Sequence, residues 1–413
     1  MKRSVTAIAT LVFAIFAAHA ASGGSAYSRY GVGDIRYFPS ARAVGMGGVN
    51  LAIVGIDELN RINPAAWTQV KQTMFSGTFL YEGYSTSDGA NSVYRARGDF
   101  GGAMLALPVS PSHGIVFGGG FAPYSRVNYD ITTTGTQLGV DYTAEYGGSG
   151  GLSHAFFGFS YQPTSALHLG VQTQYLFGPI ENDVTITFGS ATFSNSVTRR
   201  RTDYRGFQFT IGTIYTDVGK WIGISDRHRL SVGALFTTPL NATVERSAIT
   251  SVTSFVDTLA ETKGTAHIPA RIGLGAALTL NSRYLIATDV VFQNWERFEE
   301  FASNPKEIRN WVRWSIGAER LPAAQPSSFG ERVAYRLGFV YNSSYYRLKD
   351  EPLYEVLFSG GVGFPVGSRS RVNFALGYGF RGTTDKQLQK DNIFRLMVTV
   401  NLGELWFIRP PVE

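Results

Sequence analysis

The feature that most limits what this chain can fold into is a period of two. Runs of about ten residues alternate apolar with polar or small side chains along most of its length. In the last of them Phe394, Leu396, Val398, Val400 and Leu402 fall on one face, and Arg395, Met397, Thr399 and Asn401 on the other. Val372 to Phe380, Val333 to Tyr341, Leu167 to Tyr175 and Phe207 to Ile211 repeat the pattern. Successive side chains of a strand point to opposite faces, so these runs read as strands with one apolar face. After residue 20 no stretch approaches the roughly 18 uninterrupted apolar residues of a helical membrane span. Two architectures remain. In a soluble sandwich the apolar face turns inward; in a membrane barrel it turns to lipid and the small or polar face lines the lumen.

The N-terminus adds an address. Lys2 and Arg3 precede an apolar stretch, Val5 to Ala17, and Ala18-His19-Ala20 forms a small-x-small site. This predicts a signal peptide over 1–20, cleaved after Ala20, and hence export. The chain has no cysteine, which excludes a disulfide scaffold, a thiolate metal or redox site, and a cysteine lipid anchor. Aromatic residues at 14% against charged residues at 16% argue against disorder. A formal charge of +6, two units of it in the leader, is too small and too dispersed to suggest nucleic acid.

Fourteen candidate strands follow, near 73–82, 94–109, 114–129, 142–162, 166–184, 200–216, 228–245, 267–280, 283–298, 310–321, 332–346, 353–366, 370–381 and 392–403. An even number suits a bacterial single-chain barrel. Connections after even strands are mostly short, as at 110–113, 163–165 and 281–282, and those after odd strands are longer, as at 83–93, 130–141, 185–199, 246–266 and 299–309. Short periplasmic turns opposite long outer loops are the outer-membrane pattern. Residues 217–227 and 322–331 break it, and a small helix or a flap would account for them. Aromatics gather at strand ends, among them Tyr81, Tyr124, Tyr129, Tyr161, Trp295, Trp314, Trp406 and Phe407, as two interfacial girdles would require. The reading is an all-β, fourteen-stranded antiparallel transmembrane barrel over 73–403, with a periplasmic tail over 404–413.

Residues 21–72 do not alternate. They carry Tyr30-Gly31-Val32-Gly33-Asp34, then Ser40 to Gly48, an apolar run from Val49 to Ile56, and Asn63-Pro64-Ala65-Ala66-Trp67. A compact segment of this size is expected to plug the barrel. The run SARAVGMGGVNLAI, then RINPAAW, then the fourteen-strand pattern resembles the FadL/TodX-type outer-membrane transporters of long-chain fatty acids and hydrocarbons. The third strand, Val116 to Ser125 with Gly118-Gly119-Gly120 and Pro123, and Asn294-Trp295-Glu296-Arg297-Phe298 in the ninth, are similar to the same family. The resemblance spans the mature chain, except that residues run past Trp406-Phe407 to Glu413 where a barrel often ends on an aromatic. It implies a bacterial outer-membrane location and an N-terminal hatch over 21–72 that ends in the Asn63, Pro64, Ala65 signature. It further implies passive uptake of hydrophobic small molecules, released sideways at a kink in the third strand, with no cofactor and no enzymatic activity.

Candidate site residues follow, each with two readings. Gly118, Gly119, Gly120 and Pro123 weaken a ladder, because glycine packs nothing and proline donates no hydrogen bond. They either shape a lateral opening or allow a tight wall against the hatch. Gly45, Gly47, Gly48, Asn63, Pro64 and Ala65 either fold the hatch or touch ligand in gating. By alternation Arg271, Arg313, Glu319, Arg336, Arg371 and Arg395 point into the lumen. Arginine holds a carboxylate bidentately, yet lumen charges in a plugged barrel more often pair and anchor the plug. Arg199-Arg200-Arg201 either meets lipopolysaccharide phosphate or is a solvated cluster. Gly147-Gly148-Ser149-Gly150-Gly151 matches a nucleophile elbow by letter but lacks its strand–turn–helix setting. No histidines stand at metal-ligand spacing. Expected partners are a hydrophobic ligand, membrane lipid and lipopolysaccharide. A rival reading is a barrel of the same build that binds a protein partner as a scaffold or secretion component.

Overall fold

Alternation decides the architecture once the faces are seen. In the last wall strand Phe394 and Leu402 are exposed, while Arg395, Met397, Thr399 and Asn401 are buried. The apolar face looks outward, as a lipid-facing barrel wall must. The same holds for Phe207, Phe209 and Ile211, for Ile272 and Leu274, and for Leu376 and Tyr378, all exposed. This computed structural model describes residues 24–404 apart from 38, 56–57, 191–192, 226, 253–254 and 367–369. The leader with its cleavage after Ala20, and the tail from residue 405 with Trp406 and Phe407, lie outside the described residues.

The wall is a closed, antiparallel barrel of fourteen staves. They are β1 (Thr73–Ser87), β2 (Ser92–Ser110), β3 (Ile115–Pro123 and Tyr129–Gln137), β4 (Val140–Gly150 and Ser153–Tyr161) and β5 (Leu167–Phe188). Next come β6 (Ser196–Tyr215), β7 (His228–Thr237 and Leu240–Val252), β8 (Phe255–Ile268 and Arg271–Leu280) and β9 (Tyr284–Gln293). The last five are β10 (Trp311–Arg320), β11 (Ala334–Asn342), β12 (Glu355–Val366), β13 (Ser370–Gly382) and β14 (Lys390–Glu404). Thr73 opposite Glu404 closes the ring. The near end is where β1 starts and β14 stops.

Two sequence expectations change. The third strand is not one strand over 114–129; it stops at Pro123 and resumes at Tyr129. Much of what reads as long outer loop is ladder instead. Tyr129–Gln137 pairs with Val140–Gly150 across a turn at Leu138-Gly139, and β5 and β6 pair up to Ile186 opposite Ser196. The threonine-rich and charged composition of these segments marks hairpins that leave the apolar band, not irregular loops. The two rhythm-breaking near-end connections hold short helices, α2 (Val218–Trp221) and α3 (Phe329–Arg332). Trp221 lies on Tyr215 with ring centroids 4.8 Å apart, and Phe329 on Phe364 at 6.4 Å. Both add to an aromatic rim at that end.

Residues 24–72 run inside the ring, from the far end down to β1. Ser40 caps helix α1 (Ala41–Gly45), its side chain accepting from the Ala43 N–H at 3.2 Å. Asn63 caps the 3-10 turn Pro64–Gln69 in the same way, accepting from the Ala65 N–H at 3.1 Å. Pro64 stands at the first position, where its missing N–H costs nothing. The segment's backbone comes close to the wall at several wall glycines. A Cβ on Gly338 would stand 1.9 Å from the Gly47 nitrogen, and one on Gly317 2.3 Å from the Met46 oxygen. Gly212 makes room for the Asn63 side chain, Gly170 for Pro64, and Gly361 for Gly45. Gly47 and Gly48 turn the chain at φ +71° and +87°, a region that other residues avoid.

Polar anchors complete the seating. The Gly47 N–H donates to the Ser359 hydroxyl at 3.1 Å, and the N–H groups of Asn50 and Leu51 donate to Asp289 at 2.6 and 3.0 Å. Two buried ion networks bind the segment to the wall. Glu319 accepts from Arg42 of the segment at 2.7 Å and from Arg336 at 2.8 Å. Glu82 is shared by Arg36 of the segment and by Arg395, the latter at 2.6 Å, and Arg395 also reaches Glu355 at 3.1 Å. Arg381 joins Asp34 at 2.8 Å and Asp391 at 3.2 Å.

Two predictions follow from this seating. Gly338→Val is expected to cost about 1–3 kcal/mol or more through overpacking. Heat-modified gel migration should show its barrel melting early. Gly360→Val on the outer face, with nothing nearer than 3.7 Å, should melt like the parent. Glu319→Ala is expected to cost about 3–5 kcal/mol, because two arginines then lose their buried partner. Limited trypsin digestion should cut that variant after Arg42 and leave the parent intact, and joint replacement of Arg42, Glu319 and Arg336 by Met should recover much of the loss.

Candidate functional site: a break in the wall at the third stave

Among the described residues the ladder between β2 and β3 exists only near the near end, from Ser110 opposite Ile115 to Ala103 opposite Phe121. Above it, among the described residues, Ser92–Gly102 of β2 pairs with β1 alone, and Tyr129–Gln137 of β3 pairs with β4 alone. Between the two halves of β3 the chain turns inward. Ser125 and Arg126 pair with Ile35 and Asp34 of the inner segment, and the Arg36 N–H donates to the Tyr124 carbonyl at 2.8 Å. The turn stays attached to β4, because the N–H groups of Tyr124 and Ser125 donate to the Leu152 carbonyl at 2.8 and 3.0 Å.

Local chemistry explains the place. Pro123 has no N–H to extend a ladder. On β4 the break coincides with Gly150 and Gly151, at φ +101° and +123°. A Cβ on Gly151 would lie 2.5 Å from the Ser125 carbonyl oxygen. The glycine run that matches a nucleophile elbow by letter is therefore the hinge of the inward turn. That signal was visible in the sequence, but only pairing partners give it meaning.

A cavity of about 280 Å³ lies at the foot of the break. Phe100, Gly101, Phe121 and Pro123 form its outer side, and Pro39, Arg61 and Ile62 of the inner segment its back. Phe100 and Phe121 are stacked at 6.4 Å on the lipid-facing wall. Gly101 is the extra residue of a bulge in β2, where the register with β1 shifts between Thr78 and Phe79. Arg126 on the inward turn pairs with Asp99 of β2, which also holds Arg97 at 3.0 Å. That pair ties the two sides of the break together. Arg61 behind it donates to the Pro39 carbonyl. Burial pulls its pKa down to about 10, partly offset by Glu58. Burial likewise raises the Glu58 carboxyl above the usual range, against the pull of Arg42.

The sequence-derived candidates separate. Gly118, Gly119 and Gly120 lie in unbroken ladders with β2 and β4, below the break rather than at it. A Cβ on Gly118 would stand 2.9 Å from the Trp67 ring of the inner segment. Pro123 is the last residue before the break. Gly45, Gly47, Gly48, Asn63, Pro64 and Ala65 face the wall, not the cavity. Of the lumen charges, Glu319, Arg336 and Arg395 stand in the ion networks. Arg313 donates to the Gly47 carbonyl at 2.8 Å and lies 5.0 Å from the Tyr37 ring centroid; Arg271 lies 5.7 Å from that ring. Arg371 borders a second, polar cavity of about 660 Å³ at the near end, with Arg42, Glu58, His168 and Arg229. On the far hairpins Arg199 pairs with Asp183 at 2.9 Å, and Arg201 with Glu181 at 2.8 Å. Among the described residues no group of three metal-binding side chains converges.

Several solved structures share this fold. The Pseudomonas putida toluene transporter TodX aligns with a TM-score of 0.57 at 16% identity, over 89% of this chain and 99% of that one. The Ralstonia pickettii toluene transporter TbuX gives 0.58 at 14%, over 88% and 98%. A Pseudomonas aeruginosa FadL homologue gives 0.55 at 12%, over 89% and 97%. At such identities the likeness is one of fold. No curated protein matches in sequence. The match that reaches the sequence itself runs over residues 1–411, and by it the chain belongs to the BamG family.

Proposed function

We propose that this barrel resides in the bacterial outer membrane and works at the break in its wall, admitting hydrophobic small molecules sideways between β2 and β3. The observation that carries this reading is the cavity at the break, open toward the lipid-facing Phe100 and Phe121 and backed by the inner segment. A solute there leaves water without crossing the polar lumen. The inner segment is the hatch, Pro123 and the inward turn form the lateral opening, and the Asp99–Arg126 pair is its latch. The glycine and Asn63-Pro64-Ala65 positions of the hatch are structural, and the lumen arginines other than Arg371 anchor it. The fold shared with TodX, TbuX and the FadL homologue supports the reading. It requires no cofactor and no chemistry on the solute.

A second reading has its own observation. The lumen above the near-end cavity is filled. Tyr27, Val32, Tyr124, Trp295, Tyr345 and Tyr346 are buried in one cluster at the far end, and ion pairs from Asp34, Arg36 and Arg42 hold the hatch to the wall. A barrel sealed in this way serves equally as a rigid body that presents its wall and its long far-end hairpins to a protein partner.

Uptake separates the two. Cells making the parent should accumulate labelled long-chain fatty acid or aromatic hydrocarbon several-fold faster than cells without it. Ala122→Trp fills the cavity and should remove the gain, while Arg126→Gln frees the latch and should keep or raise it. If Ala122→Trp folds and transports like the parent, the lateral route is wrong. If the parent itself gives no gain, the partner-binding reading stands in its place.

A further inference from the structure

The break leaves two strand edges without a ladder. Among the described residues none pairs with Ser92–Gly102 of β2 on the side away from β1, or with Tyr129–Gln137 of β3 on the side away from β4. A free edge is a row of main-chain donors and acceptors ready to take another strand. The two edges are not alike. That of β2 starts within the apolar band at Phe100 and carries Arg95 and Arg97, charges of the kind that guard edges. That of β3 has the sequence YDITTTGTQ: five β-branched residues, one acid, no lysine and no proline. Thr132, Thr133 and Thr134 are exposed. This is a segment of high strand propensity whose one guard is Asp130, next to its near end.

Its height above the membrane is set by its neighbours. Phe177 of β5 stands opposite Arg205 of β6, and outward-facing residues above Arg205 are Asp203, Arg201 and Arg199. The apolar band therefore ends near Phe177. Upper β4 pairs with β5 from Ile180 upward, and upper β3 pairs with upper β4. The free β3 edge thus lies beyond the hydrocarbon, where unpaired backbone is tolerated and accessible.

We propose that the free edge of β3 over Tyr129–Gln137 is a strand-addition site for an extended segment of a different polypeptide. Main-chain hydrogen bonds would supply the affinity and alternate side chains the selectivity. A lipid lacks the repeating donors and acceptors that such an edge matches. A second copy of this chain does not fit either. Two barrels upright in one membrane are related by an axis along its normal. With staves tilted about 35–45°, that axis sets their edges across each other at roughly twice the tilt, so no ladder forms. The proposal rests on the partner-binding reading.

The test is amide hydrogen exchange on the full chain, in outer-membrane vesicles from the producing cells and after purification in detergent. Every second amide of 130–137 points to the free edge. Those amides should exchange fast in detergent and lose that fast exchange in the vesicles, giving protection with a period of two. Thr132→Pro and Thr133→Pro test the same point. One removes a donor to β4, the other only a donor to the free edge, and the latter should fold and release the partner. A photoreactive side chain at Thr134 in cells should form one discrete polypeptide adduct that the edge proline variant loses. Equal fast exchange in both preparations overturns the proposal. If adducts then form from Leu138 or Ile249, a partner binds elsewhere on the hairpins and only strand addition fails. If no far-end position forms an adduct, the partner-binding reading fails with it.

Discussion

Contact between one backbone and another, with no side chain between, is what the rest of this structure depends on. The inner segment lies against the wall at Gly338, Gly317, Gly361 and Gly170, so its turns sit within hydrogen-bond reach of inward-facing wall side chains. Only then can the Gly47 N–H reach Ser359, and the N–H groups of Asn50 and Leu51 reach Asp289. A methyl group at Gly338, Gly317 or Gly170 would push the two layers apart by a good part of an atomic diameter. Dispersion falls steeply over such a gap, and the hydrogen bonds would lengthen beyond use.

Close seating also sets what the lumen charges do. Drawn away from water, a carboxylate or guanidinium is costly unless it is paired and hydrogen-bonded. Glu319 answers this with Arg42 and Arg336, and Glu82 with Arg36 and Arg395. In each case one arginine comes from the segment and one from the wall. A misplaced segment would strand a charge on both sides, so the pairs act chiefly through the penalty for any other arrangement. The same occupancy leaves these arginines little freedom to hold the head group of a passing acid.

Much of this was legible in the sequence. A period of two gives the fourteen staves and their faces, because the side-chain repeat of a strand is a local property. Ser40 and Asn63-Pro64 give the turns of the inner segment for the same reason. The break was legible only in part. Pro123 marks where β3 stops, while Gly118–Gly120 lie in ladder below it, and composition cannot tell a glycine that bends a strand from one that admits Trp67. Gly150 and Gly151, the actual hinge, lie on the neighbouring stave, and their meaning depends on Ser125 across the ladder. The charged and threonine-rich hairpins were read as loops because polarity there reflects water outside the band, not irregular backbone.

A sealed lumen and a broken wall bear on each other. A barrel of this width would be an open pore if it were empty, and filling it removes the axial route. The same inner segment that fills it also holds the break, because Asp34 and Ile35 pair with Arg126 and Ser125 and draw β3 out of register with β2. The filling of the lumen and the break in the wall are therefore coupled through one segment. Shifting the segment enough to clear the lumen would free Ser125 and Arg126, removing the inward pull on β3 and letting its upper half move toward β2. Any function that uses the unpaired edges or the cavity between them thus requires the segment to stay in place, which is what its glycine contacts and paired charges secure.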